Sequence, residues 1–294
     1  MEEKILNLIS KSKFELLGEV FISKSYKLEI NSQKYILLQG QISDSYNCYY
    51  KSYNGLKFLF NNGNPFIKSL KVPFNGIYLI QPNINNDFFK FGALIYIEIE
   101  GLIFFEKYYD KIIKNNIIDS LSKFLKELYS IPIKDINIEE QRIKKIEEFN
   151  KDIFVIKNYF KKQNIDNINK FEKEYLNYIN NFEDFHYIHG DLWEENMIIS
   201  EDFQNLVGVV DFDNFGINDI AKDYASLLDF GFEFINMLIE KTEMIIRDKE
   251  DFINRIKIYQ NLIEIEDTAY ILRDKNLSHR LNSKIKRLNE LDLI

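Results

Sequence analysis

Residues 187–212 constrain this chain more than any other stretch. An apolar pair, Tyr187-Ile188, runs into His189-Gly190-Asp191-Leu-Trp193-Glu-Glu-Asn196. A second apolar run, Val207-Gly-Val-Val210, ends on Asp211-Phe212-Asp213. The pattern predicts short buried strands flanking a loop that holds Asp191 and Asn196, with Asp211 at the end of the last strand. One aspartate there can orient a hydroxyl and take its proton. An asparagine five residues on, together with a second aspartate, supplies oxygen ligands for a hard cation. The plain alternative is a pair of loop aspartates and an asparagine at turn positions.

A carboxylate base followed by an Asn and an Asp ligand is the apparatus of phosphoryl transfer. The order His-x-Asp-Leu-x-x-x-Asn, then Asp-Phe-x, matches the protein-kinase signature with Asp213 where Gly is usual. Three further matches make the resemblance specific. Gly216-Ile-Asn-Asp219-Ile-Ala-Lys-Asp223-Tyr-Ala follows G-x-G-D-P-A-x-D-L-A, with Asn218 and Ile220 replacing the second Gly and the Pro. Phe124-Leu-Lys-Glu-Leu128-Tyr-Ser-Ile131 follows F-L-x-x-L-H-S-I, with Tyr129 for His. Residues 259–270 resemble the helix lining the acceptor site of 2″-type aminoglycoside kinases. The chain thus resembles the aminoglycoside phosphotransferase family, whose relatives include choline, fructosamine and methylthioribose kinases. Residues 120–275 carry the likeness, and the first hundred match in outline.

The resemblance implies a two-lobed, protein-kinase-like α+β fold, with a small antiparallel β lobe at 1–97 and a larger, mainly helical lobe at 98–294. It implies transfer of the γ-phosphoryl of ATP or GTP, with Mg2+, to a hydroxyl of a small, cationic molecule such as an aminoglycoside. Asp191 would be the catalytic base, and Asn196 and Asp211 the metal ligands. The hinge would be Glu98-Ile99-Glu100, reading the nucleotide base through its backbone. The alternatives are a choline- or fructosamine-type kinase and a catalytically dead nucleotide-binding module.

The element pattern agrees. Strands are expected at 14–21, 26–30, 35–38, 76–81 and 92–98, with a turn at Asn31-Ser32 and a helix at 44–60. Helices are expected at 3–12, 107–115, 117–130, 139–160, 170–182, 222–246, 250–272 and 277–291. The small lobe departs from the kinase pattern. Leu38 falls where the third strand carries its phosphate-binding Lys, and Ser52 where the following helix carries the partner Glu. No Glu occurs between Ile30 and Ile97. Lys34 or Lys51 could reach the phosphates instead, or Gln39 and main-chain amides could cradle them. Acceptor recognition is expected from Asp229 and Glu233, one turn apart on the helix after the metal loop, and from Glu264 and Asp267 on the next. Asp219 and Asp223 are expected to cap and brace.

A net charge of −8 argues against a nucleic-acid partner and is compatible with a cationic substrate. The single cysteine, Cys48, excludes an internal disulfide and a Cys-based zinc site. The charged opening Met1-Glu-Glu-Lys does not read as a secretory leader, and no window is apolar enough to span a bilayer, so the cytoplasm is the expected location.

Overall fold

The computed structural model describes residues 9, 11–20, 23–63, 77–104, 116–134, 136–161, 165–242, 246 and 248–294. The helices expected at 3–12 and 107–115 fall outside them, save isolated positions of the first. In chain order the described α-helices are α1 (Ser45–Asn62), α2 (Asn116–Tyr129), α3 (Ile138–Phe160), α4 (Asp166–Asn181), α5 (Ala221–Ala225), α6 (Gly231–Thr242), α7 (Lys249–Arg273) and α8 (Leu281–Glu290). None of them is long and apolar enough to cross a membrane. The chain divides into two compact units.

The first unit comprises Met1–Ile131, Tyr187–Gly216 and Asp229–Glu243. Its main sheet is antiparallel, formed by β1 (Phe14–Val20), β2 (Ser23–Ile30), β3 (Gln33–Gly40), β4 (Tyr78–Ile80) and β5 (Ala93–Ile97), in the order β1-β2-β3-β5-β4. Asn31 and Ser32 both take positive φ, 50° and 65°, which gives the β2–β3 hairpin the twist its two-residue turn requires. One face of the sheet buries Leu28, Leu37, Ile80, Ala93 and Ile95 around Phe89. This alternation fixes the register, because a one-residue slip would turn the apolar set outward. α1 follows β3. Ser45 Oγ closes its entry by accepting from the backbone N–H groups of Gln41 (3.2 Å) and Ile42 (3.1 Å).

A second small sheet of this unit joins β6 (Leu102–Ile103) to β8 (Met197–Ile199) and β9 (Leu206–Val209), in that order. The strand β7 (His186–Ile188) leads the chain into the loop before β8. α2 presents Ile117, Leu121, Phe124, Leu125 and Leu128 as one buried stripe at helical spacing, and it packs against α6 and β9.

The second unit comprises Pro132–His186, Ile217–Leu228 and Met244–Ile294. Asn137 caps α3 by accepting from Glu139 N and Glu140 N, and Asp248 caps α7 by accepting from Asp251 N. α7 is covered by α3, α5 and α8, so its apolar residues, among them Phe252, Ile256, Tyr259, Leu262, Ile265 and Ala269, are spread around the helix and not along a stripe.

Three helix boundaries differ from the sequence reading. The continuous helix expected over 222–246 is broken into α5, a 3-10 turn at Leu228–Phe230, and α6. Gly231 sits at the break with φ +86°, a conformation that ends one helix and lets another start in a new direction. α4 begins at Asp166 and not near 170, and the basic helix expected over 277–291 is a 3-10 segment, Lys275–Arg280, followed by α8.

Candidate active site

The loop after β7 is organised by His189, which is fully buried. Its Nε2–H donates to Val210 O at 2.9 Å, and Nδ1 faces Asp191 N at 3.4 Å. Its ring packs on Phe212 with centroids 4.6 Å apart. Burial pushes the imidazole pKa down to about 4, so it is a neutral brace tying the Asp191 loop to the end of the strand before Asp211. Val210 N donates to Asn196 O (2.9 Å) and makes a second tie. Gly190, between His189 and Asp191, has φ +86°, and a Cβ there would lie 2.3 Å from Asn214 O. Glycine is therefore a steric requirement of the loop.

Asn196 ends a single 3-10 turn, Glu194–Asn196, that begins after the half-buried Trp193. Its Nδ2 donates to Asp191 O (2.8 Å) and lies 3.4 Å from Asp191 Oδ2. That leaves its Oδ1 for another partner. Asp211 holds φ +63°, a left-handed conformation rare outside glycine and an indication of local backbone strain at this point. Its side chain is open to solvent, with protein crowded around the carboxyl. The surrounding protein, Asp213 and Asp191 all hold it above the ordinary carboxylate range. Burial, with the Asp211 charge adding to it, holds the Tyr49 and Tyr96 hydroxyls above their ordinary range. Acidic groups gathered in this way fit a divalent cation.

Among the described residues no group of three His, Cys, Asp or Glu side chains forms a protein-only metal cage. A magnesium site completed by substrate phosphates needs none, because that ion takes one or two carboxylates and keeps the rest of its shell for phosphate and water.

The small-sheet candidates separate. Leu38 is half-buried on β3, and Ser52 is buried on α1. Gln39 points to the other face, where Nε2 donates to Phe88 O (2.7 Å) and Oε1 accepts from Tyr26 (3.1 Å), so it has no role in a phosphate cradle. Lys34 is exposed at the hairpin end of β3, opposite Glu29. Four residues from Leu38 is about 13 Å along a strand. At the expected hinge Glu98 N donates to Lys34 O (3.0 Å), Ile99 is buried and Glu100 is exposed. Glu98 is paired with Lys27 across β2 at 2.7 Å, while its Oε2 is buried without a hydrogen-bond partner. Sequence reading missed Lys27, whose partner lies 71 residues away.

The acceptor candidates also separate. Asp229 lies in the 3-10 turn and Glu233 on α6, with Gly231 between them, so the expected shared helix does not exist; both are exposed. Glu264 is buried and Asp267 half-buried on α7. Lys284 Nζ meets both, at 2.9 and 2.7 Å, and Arg287 adds a contact to Glu264 at 3.4 Å. Their charge is thus largely balanced within the chain. Asp219 is wholly buried; it accepts from Ala221 N (3.0 Å), Tyr178 and Arg255, and Asp223 is buried nearby in α5. Arg255, stacked between Phe182 and Phe252, was not legible as a partner of Asp219.

Residues 113–243 match the family described as the phosphotransferase enzyme family. No characterised protein sequence matches the chain. Among solved structures, an aminoglycoside 2'-phosphotransferase-IIIa in complex with GDP is similar over 99% of this chain and 98% of its own, at 17% identity and a TM-score of 0.71. The ternary complex of streptomycin, ATP and APH(2")-IIa is similar over 98% and 94%, at 19% identity and 0.72. An ethanolamine kinase of Plasmodium vivax is similar over 98% and 84%, at 14% identity and 0.68. At these identities the likenesses establish the fold: kinase-like, with a small antiparallel sheet lobe and a larger helical lobe, as the sequence led us to expect.

Proposed function

We propose that this chain, whose residues 113–243 match the phosphotransferase enzyme family, moves the γ-phosphoryl group of ATP or GTP to a hydroxyl of a small, cationic molecule, an aminosugar such as an aminoglycoside being the first candidate. The observation that carries the reading is the hydrogen-bonded set around the loop. Asn196 holds Asp191 from one side, and His189 ties that loop to the strand end bearing Asp211.

In this reading Asp191 orients the acceptor hydroxyl and takes its proton as the bond to phosphorus forms. Asn196 Oδ1 and the Asp211 carboxylate hold Mg2+, which when bound neutralises phosphate charge. Backbone groups of Glu98, Ile99 and Glu100 read the base, and Lys34 lies beside them. The lobes are assigned as 1–97 for nucleotide and 98–294 for catalysis and acceptor. Asp229, Glu233, Glu264 and Asp267 are the candidates for recognising an ammonium group, and at Glu264 and Asp267 that group would compete with Lys284 and Arg287.

Phosphorus NMR of the protein with MgATP or MgGTP over a panel of aminoglycosides, choline, ethanolamine and sugars tests the proposal. One acceptor is expected to yield a phosphomonoester. Asp191→Ala is expected to keep nucleotide binding and to lower turnover about a hundredfold or more. Equal turnover in that variant, or nucleotide binding with no product from any acceptor, would overturn the assignment, the latter in favour of a binding module.

A further inference from the structure

With Leu38 and Ser52 in place of the usual lysine and glutamate, the site lacks the familiar cation for its phosphates, and α1 offers another. Cys48, Lys51, Ser52 and Gly55 lie at spacings of three and four along that helix and so share a side. Gly55 brings this side down onto the Asp211–Phe215 segment: a Cβ there would lie 3.1 Å from the Phe215 ring and 3.3 Å from Phe212 O. Phe58, one turn further on, packs on Phe215 with ring centroids 5.7 Å apart and on Tyr187 at 4.6 Å. The approach therefore fixes α1 against the segment carrying Asp211 and Asp213. One turn before Gly55, the same side of α1 carries the exposed Lys51, whose positive charge acts on the Asp213 carboxyl.

We infer that Lys51, on the side of α1 that the close approach at Gly55 turns toward the Asp211–Phe215 segment, supplies the phosphate-binding cation of this site. The inference rests on the phosphotransferase reading. The clamp is then reversed in sign relative to the kinase arrangement: the helix carries the positive group and the segment after β9 the negative one. The Asp213 carboxylate, where kinases have glycine, attracts the Lys51 ammonium toward the same segment. A lysine on a helix also explains how a leucine is tolerated at position 38.

Calorimetric titration of the full chain with MgATP, MgGTP and the phosphate-free nucleosides tests this. Lys51→Ala is expected to weaken binding of the triphosphate by about tenfold or more, the loss of one charge-assisted contact, and to leave nucleoside binding unchanged. Its melting temperature is expected to match the wild type, because the side chain is exposed. Lys51→Arg is expected to keep most of the affinity, and Leu38→Lys in the Lys51→Ala background to restore part of it. Unchanged triphosphate affinity in Lys51→Ala would overturn the inference while leaving the phosphotransferase reading intact. Equal losses for triphosphate and nucleoside would overturn it too, by exposing a merely structural role. A wild type that binds neither nucleotide would overturn both.

Discussion

Gly190→Ala probes the geometry of the loop with one methyl group. Two costs add. An alanine at φ +86° carries roughly 1–2 kcal/mol of backbone strain. Its Cβ would also sit 2.3 Å from Asn214 O, over an ångström inside ordinary contact of about 3.5 Å. The obstacle is backbone, so no side-chain rotation relieves it, and the Asp191 loop must separate from the Asp213–Asn214 segment by about 1 Å. Urea unfolding is expected to show a total loss of about 2–4 kcal/mol. A displacement of that size between Asp191 and the Asp211 segment should lower phosphoryl transfer, or acceptor-free nucleotide hydrolysis, by about a hundredfold. Gly216→Ala is the control, since a Cβ there meets nothing within 4 Å and its φ is ordinary; it is expected to change stability little. If Gly190→Ala unfolds at the wild-type urea midpoint and turns over normally, steric control of the loop by this glycine is wrong.

His189 should give the protein a distinct acid sensitivity. Its folded pKa, about 4, lies below the unfolded value of about 6.5, so its contribution is complete above pH 6.5 and is lost as pH falls toward 4. That window is worth on the order of 3 kcal/mol, and His189→Gln should flatten the stability–pH slope within it; an unchanged slope would assign the effect elsewhere. Lys284→Ala should cost about 1–3 kcal/mol, measured by thermal or urea unfolding, because Glu264 stays buried with only the longer Arg287 contact; a neutral result would mean that Glu264 is adequately held without it. Ser45→Ala should cost about 1–2 kcal/mol by the same measurement, since two N–H groups at the entry of α1 lose their acceptor.

The parts of the fold that were legible are those written in local pattern. The Asn31-Ser32 turn sits between two alternating runs, α1 has its stop signal at Asn61-Asn62-Gly63, and the stripe of α2 repeats at 3.6 residues. The loop holding Asp191 and Asn196 was legible because its chemistry is compressed into a few residues. The break before α6 was not. Gly231 is one residue in an otherwise helical stretch, and only its positive φ shows that the chain turns there. Partnerships over long separations were hidden in the same way. Asp219 with Arg255 is 36 residues apart, Lys27 with Glu98 is 71, and no periodicity links either pair. The acidic face read on α7 illustrates the hazard: Glu264 and Asp267 do share a side, as spacing requires, but α8 covers that side with Lys284 and Arg287. Spacing tells which residues are neighbours on one helix, whereas the occupant of the space beside them is set by packing.

The protein has one tryptophan, and it is Trp193, between Asp191 and Asn196. All indole fluorescence therefore originates inside the loop that holds the proposed base. Half-buried at the start of the 3-10 turn, the ring sits at the boundary where its emission responds to small changes in polarity. The unaltered chain thus carries its own optical reporter of that loop, and a titration that leaves the emission untouched has left the surroundings of Asp191 in place.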